Sequence, residues 1–271
     1  MRVTTTLVWA LNLLLCLSAV AQESNPAAFA PLPPEQVIKN LQEHNAQRAA
    51  TLAGFTGKRT YHLQYRGFGG AREAEMTVSV VYISPGTKQF TVETEKGSKV
   101  LIDRVLKKLL ESEREAAEEN QRQTALSPDN YTFSSPSYED SPEGGRYVFT
   151  LTPKTENKFL YRGKVWIDAR DFAVVRIAAE PGKNPSFWVK KTDIAHTYTH
   201  QGSFWLPQSN HTESATRFGG RAILTIEYLD YKVTSTPAVA SLPQAVTIAP
   251  GASSEIWGVA SEDISLGTNR V

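Results

Sequence analysis

The sequence predicts an α+β protein that is mainly β, with one wide, curved antiparallel sheet. From residue 159 to residue 233, apolar and polar side chains alternate through several long runs separated by short turns. Alternation of this kind is typical of sequential antiparallel strands that bury one face. Two amphipathic helical segments precede this region, and a curved sheet with one apolar face needs such elements to cover it.

The N-terminus has the features of a secretory signal peptide. Arg2 precedes an apolar run from Leu7 to Leu17, and Ala19, Val20 and Ala21 form a small-x-small cleavage site. The apolar run is about half as long as the ~20 residues that a bilayer-spanning helix requires. We therefore expect residues 1–21 to be removed by cleavage after Ala21, and the mature chain to be exported.

Composition narrows the compartment and the partners. Cys16 is the only cysteine and lies in the predicted signal peptide, so the mature chain would have no disulfides and would depend on its apolar core. This fits a bacterial periplasm better than the disulfide-rich class of secreted proteins. Lys and Arg total 29 against 28 Asp and Glu, a balance that provides no general attraction for nucleic acid. We expect a monomer that binds no nucleic acid.

The first elements follow a short spacer. Residues 22–34 are rich in Pro and Ala and predict a linker, and residues 35–235 form the predicted domain. Helical spacing begins at Glu35, includes Leu52, and is closed by Gly54 as a C-terminal cap. Glycine and proline turns then separate three predicted strands, at residues 58–68, 72–83 and 87–95.

The second helix is predicted from Ser98, in the position of an N-terminal cap. Its first half carries an apolar stripe that should be buried. Its second half, Glu111 to Gln123, is almost wholly charged or amide and should lie in water. The stripe is expected either to cover the sheet or to line a ligand cavity.

Two short strands, at residues 131–138 and 146–152, precede the long antiparallel region. Within that region, a two-residue turn at Gln201 and Gly202 would pair Tyr198 with Trp205 across two strands. Residues 236–271 lose all periodicity and predict an irregular tail.

Motifs for catalysis and metal binding are missing or weak. The sequence has no nucleophile elbow, phosphate-binding loop or zinc-protease motif, so we expect no enzyme and no cofactor. His196 and His200 have metal-ligand spacing for a helix, but the residues between them favour a strand. On a strand the two rings would lie about 13 Å apart, so we predict no metal site.

Three runs resemble a known family: V-W-I-D at Val165 to Asp168, V-V-R-I at Val174 to Ile177, and F-W-L-P at Phe204 to Pro207. They are similar to the outer-membrane lipoprotein-sorting proteins, the LolA-like superfamily, which also includes the LolB-like receptors and the RseB-like sensors of envelope stress. The resemblance implies an open half-barrel with helices covering its concave face and an apolar cavity between them. In carriers of this family, the cavity holds lipoprotein acyl chains.

The sequence therefore predicts a periplasmic carrier that binds acyl chains or another amphiphile. The expected ligand-binding residues are Phe90, Val100, Leu101, Val105, Leu106, Trp166 and Trp188. The alternative is a sensor of the same fold that binds an envelope membrane protein through residues 111–123. A lipid-modifying enzyme is the least favoured alternative, because no nucleophile and base can be named.

Overall fold

The computed structural model describes residues 31–67, 69–119, 124–140, 144–184, 189–217 and 219–236. The predicted signal peptide, the linker as far as residue 30 and the predicted tail beyond residue 236 lie outside the described residues. The prediction for these segments stays a prediction.

Within the described residues, two helices accompany the sheet. Helix α1 is Pro34–Thr51, and helix α2 covers residues 99–119. Helix α2 is not regular throughout, because a π-helical turn, Ile102–Leu106, joins the short segment Lys99–Leu101 to Lys107–Glu119. Ser98 makes no capping hydrogen bond through its side chain, although its carbonyl accepts a hydrogen bond from Ile102 N at 3.0 Å. Within the described part of the chain, neither helix has the length and hydropathy to cross a bilayer.

In the part of the chain that the structure describes, ten strands form one antiparallel sheet in the order β3-β2-β1-β10-β9-β8-β7-β6-β5-β4. Strands β4 to β10 follow one another as neighbours, and β1 pairs with β10 to join the N-terminal strands to the same sheet. The bounds are β1 Leu52–Gly67, β2 Gly70–Ile83, β3 Thr87–Gly97, β4 Tyr131–Glu139, β5 Arg146–Pro153, β6 Tyr161–Asp168, β7 Val174–Pro181, β8 Val189–Gln201, β9 Phe204–Thr216 and β10 Arg221–Ser235.

The end of α1 differs from the prediction. The helix stops at Thr51, and β1 begins at once with Leu52, so Gly54 is a strand residue and not a helix cap. A Cβ atom at Gly54 would clash with the carbonyl oxygen of Tyr82 on β2. Glycine is therefore needed here for close approach of two strands, a requirement that has the same sequence signature as a helix end.

The turn between β8 and β9 also differs by one residue. Gln201 pairs with Phe204, so Gly202 and the residue after it form the loop, with Gly202 at a φ of 64°. Trp205 consequently lies opposite His200, and the predicted pairing of Tyr198 with Trp205 is wrong. Glycine accepts positive φ without steric cost, which selects this position for the turn.

Both helices pack on the same face of the sheet, which we call the inner face. Helix α2 and strands β1, β2, β9 and β10 contribute the first apolar cluster. Helix α1 and strands β4 to β8 contribute the second, in which Val37 and Leu41 are fully buried. The predicted fold class is confirmed, as one open antiparallel sheet with helices on one face.

Candidate functional site

The apolar stripe of α2 forms one wall of the first apolar cluster. Three of the predicted ligand-binding residues, Leu101, Val105 and Leu106, are buried there against β1, β2 and β10. Their side chains recur at helical spacing, so one turn after another of α2 faces the sheet. The structure brings these three residues together as the sequence pattern suggests.

The other predicted residues are dispersed. Phe90 on β3 packs at the edge of the first apolar cluster, whereas Val100 is 42% exposed. Trp166 lies on the opposite face of the sheet, because its neighbours Val165 and Ile167 point inward and side chains alternate along a strand. Trp188 lies outside the described residues. Val100 and Trp166 therefore do not contribute to the first apolar cluster.

A buried ion cluster ties α2 to the sheet. Arg59 Nη1 on β1 donates hydrogen bonds to both carboxylate oxygens of Glu113 on α2, at 2.9 and 2.7 Å. Lys88 Nζ on β3 donates to Glu113 Oε1 at 3.2 Å. All three residues are at most 3% exposed. The prediction that the second half of α2 lies in water is therefore wrong at Glu113, which lies on the buried side of the helix.

Burial and charge act against each other within this ion cluster. Burial by itself raises the pKa of Glu113, but the attraction of Arg59 and Lys88 and their hydrogen bonds outweigh it, so the pKa lies below its ordinary value. Burial lowers the pKa of Arg59, but Glu113 holds it well above its ordinary value. Both ions are therefore charged, and each stabilises the charge of the other.

Aromatic rings surround the guanidinium of Arg59. Its Cζ atom lies 5.0 Å from the ring centroid of Tyr228 and 5.4 Å from that of Phe90, both distances at which a cation is attracted to an aromatic face. Arg59 Nη1 also donates to the hydroxyl of Tyr61 at 3.3 Å. Burial raises the pKa of Tyr61 to about 12, so this hydroxyl is neutral. The guanidinium of Arg59 is thus surrounded by apolar and aromatic side chains.

A row of buried polar side chains continues from this point across β9 and β8, between the two apolar clusters. His196 is fully buried, within 3.4 Å of Asn210, and its ring centroid is 6.0 Å from that of Tyr228. Thr212 donates to Asn210 Oδ1 at 2.8 Å. The inner face is therefore polar between its two apolar parts.

The two histidines with metal-ligand spacing have different surroundings. His196 is buried, whereas the side chain of His200 is 53% exposed with its Nε2 3.5 Å from Asp171. Among the residues that the structure describes, no group of three or more metal-ligating side chains is present.

Helix α1 is attached to the sheet by Arg48. Its guanidinium donates to the carbonyl oxygens of Asp171 at 2.9 Å and Phe172 at 3.2 Å, in the turn between β6 and β7. A cavity of about 50 Å³ lies beside it, bounded by Leu52, Phe204 and neighbouring side chains. This volume is far smaller than the several hundred Å³ of an ordinary ligand pocket.

Sequence reasoning missed the ion cluster, although each member carried a signal. Arg59 and Tyr61 are two residues apart on β1, so their side chains lie on the same face of the sheet. Lys88 and Phe90 have the same spacing on β3. Glu113 lies four residues after Leu109 and continues the apolar stripe of α2. A charged residue at an inward-facing position is the signal that was available.

The fold and the site place the protein among those with an open antiparallel sheet and helices over one face. Here, buried apolar contacts and a buried ion cluster hold the helices on the sheet. No protein-family model matches the chain, and no curated protein matches it.

Solved structures that align with this chain over about three quarters of its length include three proteins from different organisms. A DUF1329 family protein from Desulfovibrio piger is 11% identical, over 78% of this chain and 96% of its own, with a TM-score of 0.38. An outer membrane lipoprotein-sorting protein domain from Vibrio parahaemolyticus is 10% identical, over 76% and 95%, with a TM-score of 0.34. A LolA superfamily protein from Nitrosomonas europaea is 12% identical, over 76% and 96%, with a TM-score of 0.31.

Proposed function

We propose that the protein is a periplasmic, non-enzymatic carrier that binds acyl chains or another amphiphile on the inner face beneath α2. The observation that supports this most directly is the covering of an apolar surface by one helix. Leu101 and Leu106 of that helix are fully buried against the sheet. An amphiphile that replaced these side chains would find the same apolar surroundings.

Binding requires α2 to move, because its side chains already occupy the first apolar cluster. Transfer of an acyl chain from water is worth about 0.8 kcal/mol per methylene, so a chain of about sixteen carbons contributes on the order of 12 kcal/mol. This is enough to offset the uncovering of several α2 side chains, at about 1.5–3 kcal/mol each. Helix α2 therefore acts as a lid in this proposal.

Native mass spectrometry of the protein purified from a periplasmic extract tests the proposal. We expect bound lipid in the spectrum. Adding oleate to delipidated protein should raise amide hydrogen exchange in residues 99–119 and leave residues 34–51 of α1 unchanged, which provides an internal control. A protein that carries no lipid and binds no fluorescent fatty acid would contradict the proposal.

The regulatory alternative predicts another outcome of the same experiments. It uses residues 111–123 as the docking surface for an envelope membrane protein, and the structure buries Glu113 within that segment. Crosslinking in cells to a membrane protein, with no lipid in the native spectrum, would favour a sensor over a carrier.

A further inference from the structure

The charges of the buried ion cluster are divided unequally between the sheet and the lid. Both cations, Arg59 on β1 and Lys88 on β3, belong to the sheet, whereas the carboxylate of Glu113 belongs to α2. Any movement that lifts α2 therefore removes the anion and leaves the cations where they are. The sheet would then present a cationic site whose present occupant is a carboxylate of the protein itself.

We propose that Arg59 and Lys88 form a binding site for the carboxylate of a long-chain amphiphile, which replaces Glu113 when the lid opens. This inference rests on the proposed carrier function and adds the chemical class of the ligand. The cations already hold a planar group with two oxygens, since Arg59 Nη1 lies 2.9 and 2.7 Å from the two oxygens of Glu113. A fatty-acid carboxylate has the same shape and charge.

The surroundings of the cations make the exchange selective. Arg59 lies against the rings of Phe90 and Tyr228, and Tyr61 beside it belongs to the first apolar cluster. Charges in such surroundings are stable only with an opposite charge nearby. An uncharged amphiphile that displaced α2 would leave both cations without this carboxylate, whereas an ionised fatty acid supplies another. The acyl chain would extend from this point along the surface vacated by Leu101 and Leu106.

Calorimetric titration with oleate and with its uncharged analogue oleamide tests this site. Both ligands have the same chain and are used below their micellar concentrations. The wild-type protein should bind oleate about tenfold or more tightly than oleamide, the range expected for a hydrogen bond to a charged group. Equal affinity would overturn the proposal. This comparison needs no substitution, so it is decisive even if a variant does not fold.

Two variants assign the preference to named residues. Glu113→Gln should tighten oleate binding by about tenfold or more, because the ligand no longer competes with the carboxylate of α2. Glu111→Gln, at an exposed position on the same helix, is the matched control and should stay within about twofold of wild type. The double variant Arg59→Met with Glu113→Gln should still bind both ligands but lose most of the preference for oleate.

The outcomes separate this inference from the proposed function. Binding of both ligands with an unchanged preference in the double variant would overturn the carboxylate site and leave the carrier function standing. The same conclusion follows if Glu113→Gln binds oleate no better than Glu111→Gln does. Binding of neither ligand by any form would overturn the carrier function, and this inference with it.

Discussion

The substitution Glu113→Gln tests how strongly the buried ion cluster holds α2 on the sheet. It keeps the shape of the side chain but leaves Arg59 and Lys88, both at most 3% exposed, without their carboxylate. Removing one partner of a buried ion pair costs about 3–5 kcal/mol, mainly because the remaining charge stays desolvated. We expect a loss of this size in the free energy of unfolding, measured by urea titration at neutral pH. The free energy of unfolding of a typical domain is about 5–15 kcal/mol, so the variant should still fold.

The pH dependence of this loss follows from the direction of the pKa shift. The pKa of Glu113 in the folded state is lower than its ordinary value of 4.5. Its stabilising contribution is therefore present above pH 4.5 and disappears as the pH falls through the folded-state pKa. The difference between wild type and Glu113→Gln should accordingly shrink in acid.

Two controls make the result decisive. Glu111→Gln on the exposed side of α2 should change the free energy of unfolding by less than about 0.5 kcal/mol. Replacing all three ions together, by Arg59→Met, Lys88→Met and Glu113→Leu, should be near neutral or stabilising, because no charge is then left buried. A Glu113→Gln protein within about 1 kcal/mol of wild type at neutral pH would refute the reasoning, since a buried pair should cost more than that.

Three further predictions concern other parts of the inner face. Leu106→Ala should lower the free energy of unfolding in urea by about 2–5 kcal/mol because the side chain is fully buried, whereas Val100→Ala at an exposed site should cost less than about 0.5 kcal/mol. Equal losses would contradict the placement of these two side chains. Arg48→Met should cost about 1–3 kcal/mol in the same titration, because two turn carbonyls lose their donor. An unchanged urea midpoint would mean that water donates hydrogen bonds to both carbonyl oxygens in the variant. Burial, and then the charge of Arg59, hold the pKa of His196 well below 6.5, so only the unfolded state binds a proton just below that pH. Wild-type stability should therefore fall below pH 6.5 by up to ~1.4 kcal/mol per pH unit, and His196→Gln should flatten this slope in urea titrations at several pH values. A variant with the wild-type slope would assign the effect to another group.

Local patterns predicted most of the strands and both helices. The alternation in β8, where Ile194 and Tyr198 point inward and Asp193 and Thr197 do not, is visible in the sequence alone. The error at the end of α1 arises because one residue type serves two purposes. Gly54 could end a helix or admit a neighbouring strand, and only the packing of β2 selects the second.

The candidate site was harder to predict than the fold. The burial of Leu101, Val105 and Leu106 follows from helical spacing alone, which predicts a buried stripe. Their role in ligand binding stays a prediction. The aromatic character of Trp166 predicts a place in the cavity wall, yet its strand position turns it to the opposite face. The position of a residue along its strand predicts burial better than its size does, because successive side chains point to opposite faces of the sheet.

The amino-acid sequence alone predicts most of the strands, both helices and which side chains share a face, because these properties depend on spacings of two to four residues. Which face is buried, and which inward-facing groups meet, depends on the tertiary structure. Arg59 and Glu113 are 54 positions apart, and Lys88 and Glu113 are 25 apart. No local pattern relates residues at such separations; they come into contact only when α2 folds back over β1 and β3. The buried ion cluster, and with it the proposed carboxylate site, is therefore a property of the assembled sheet and helix.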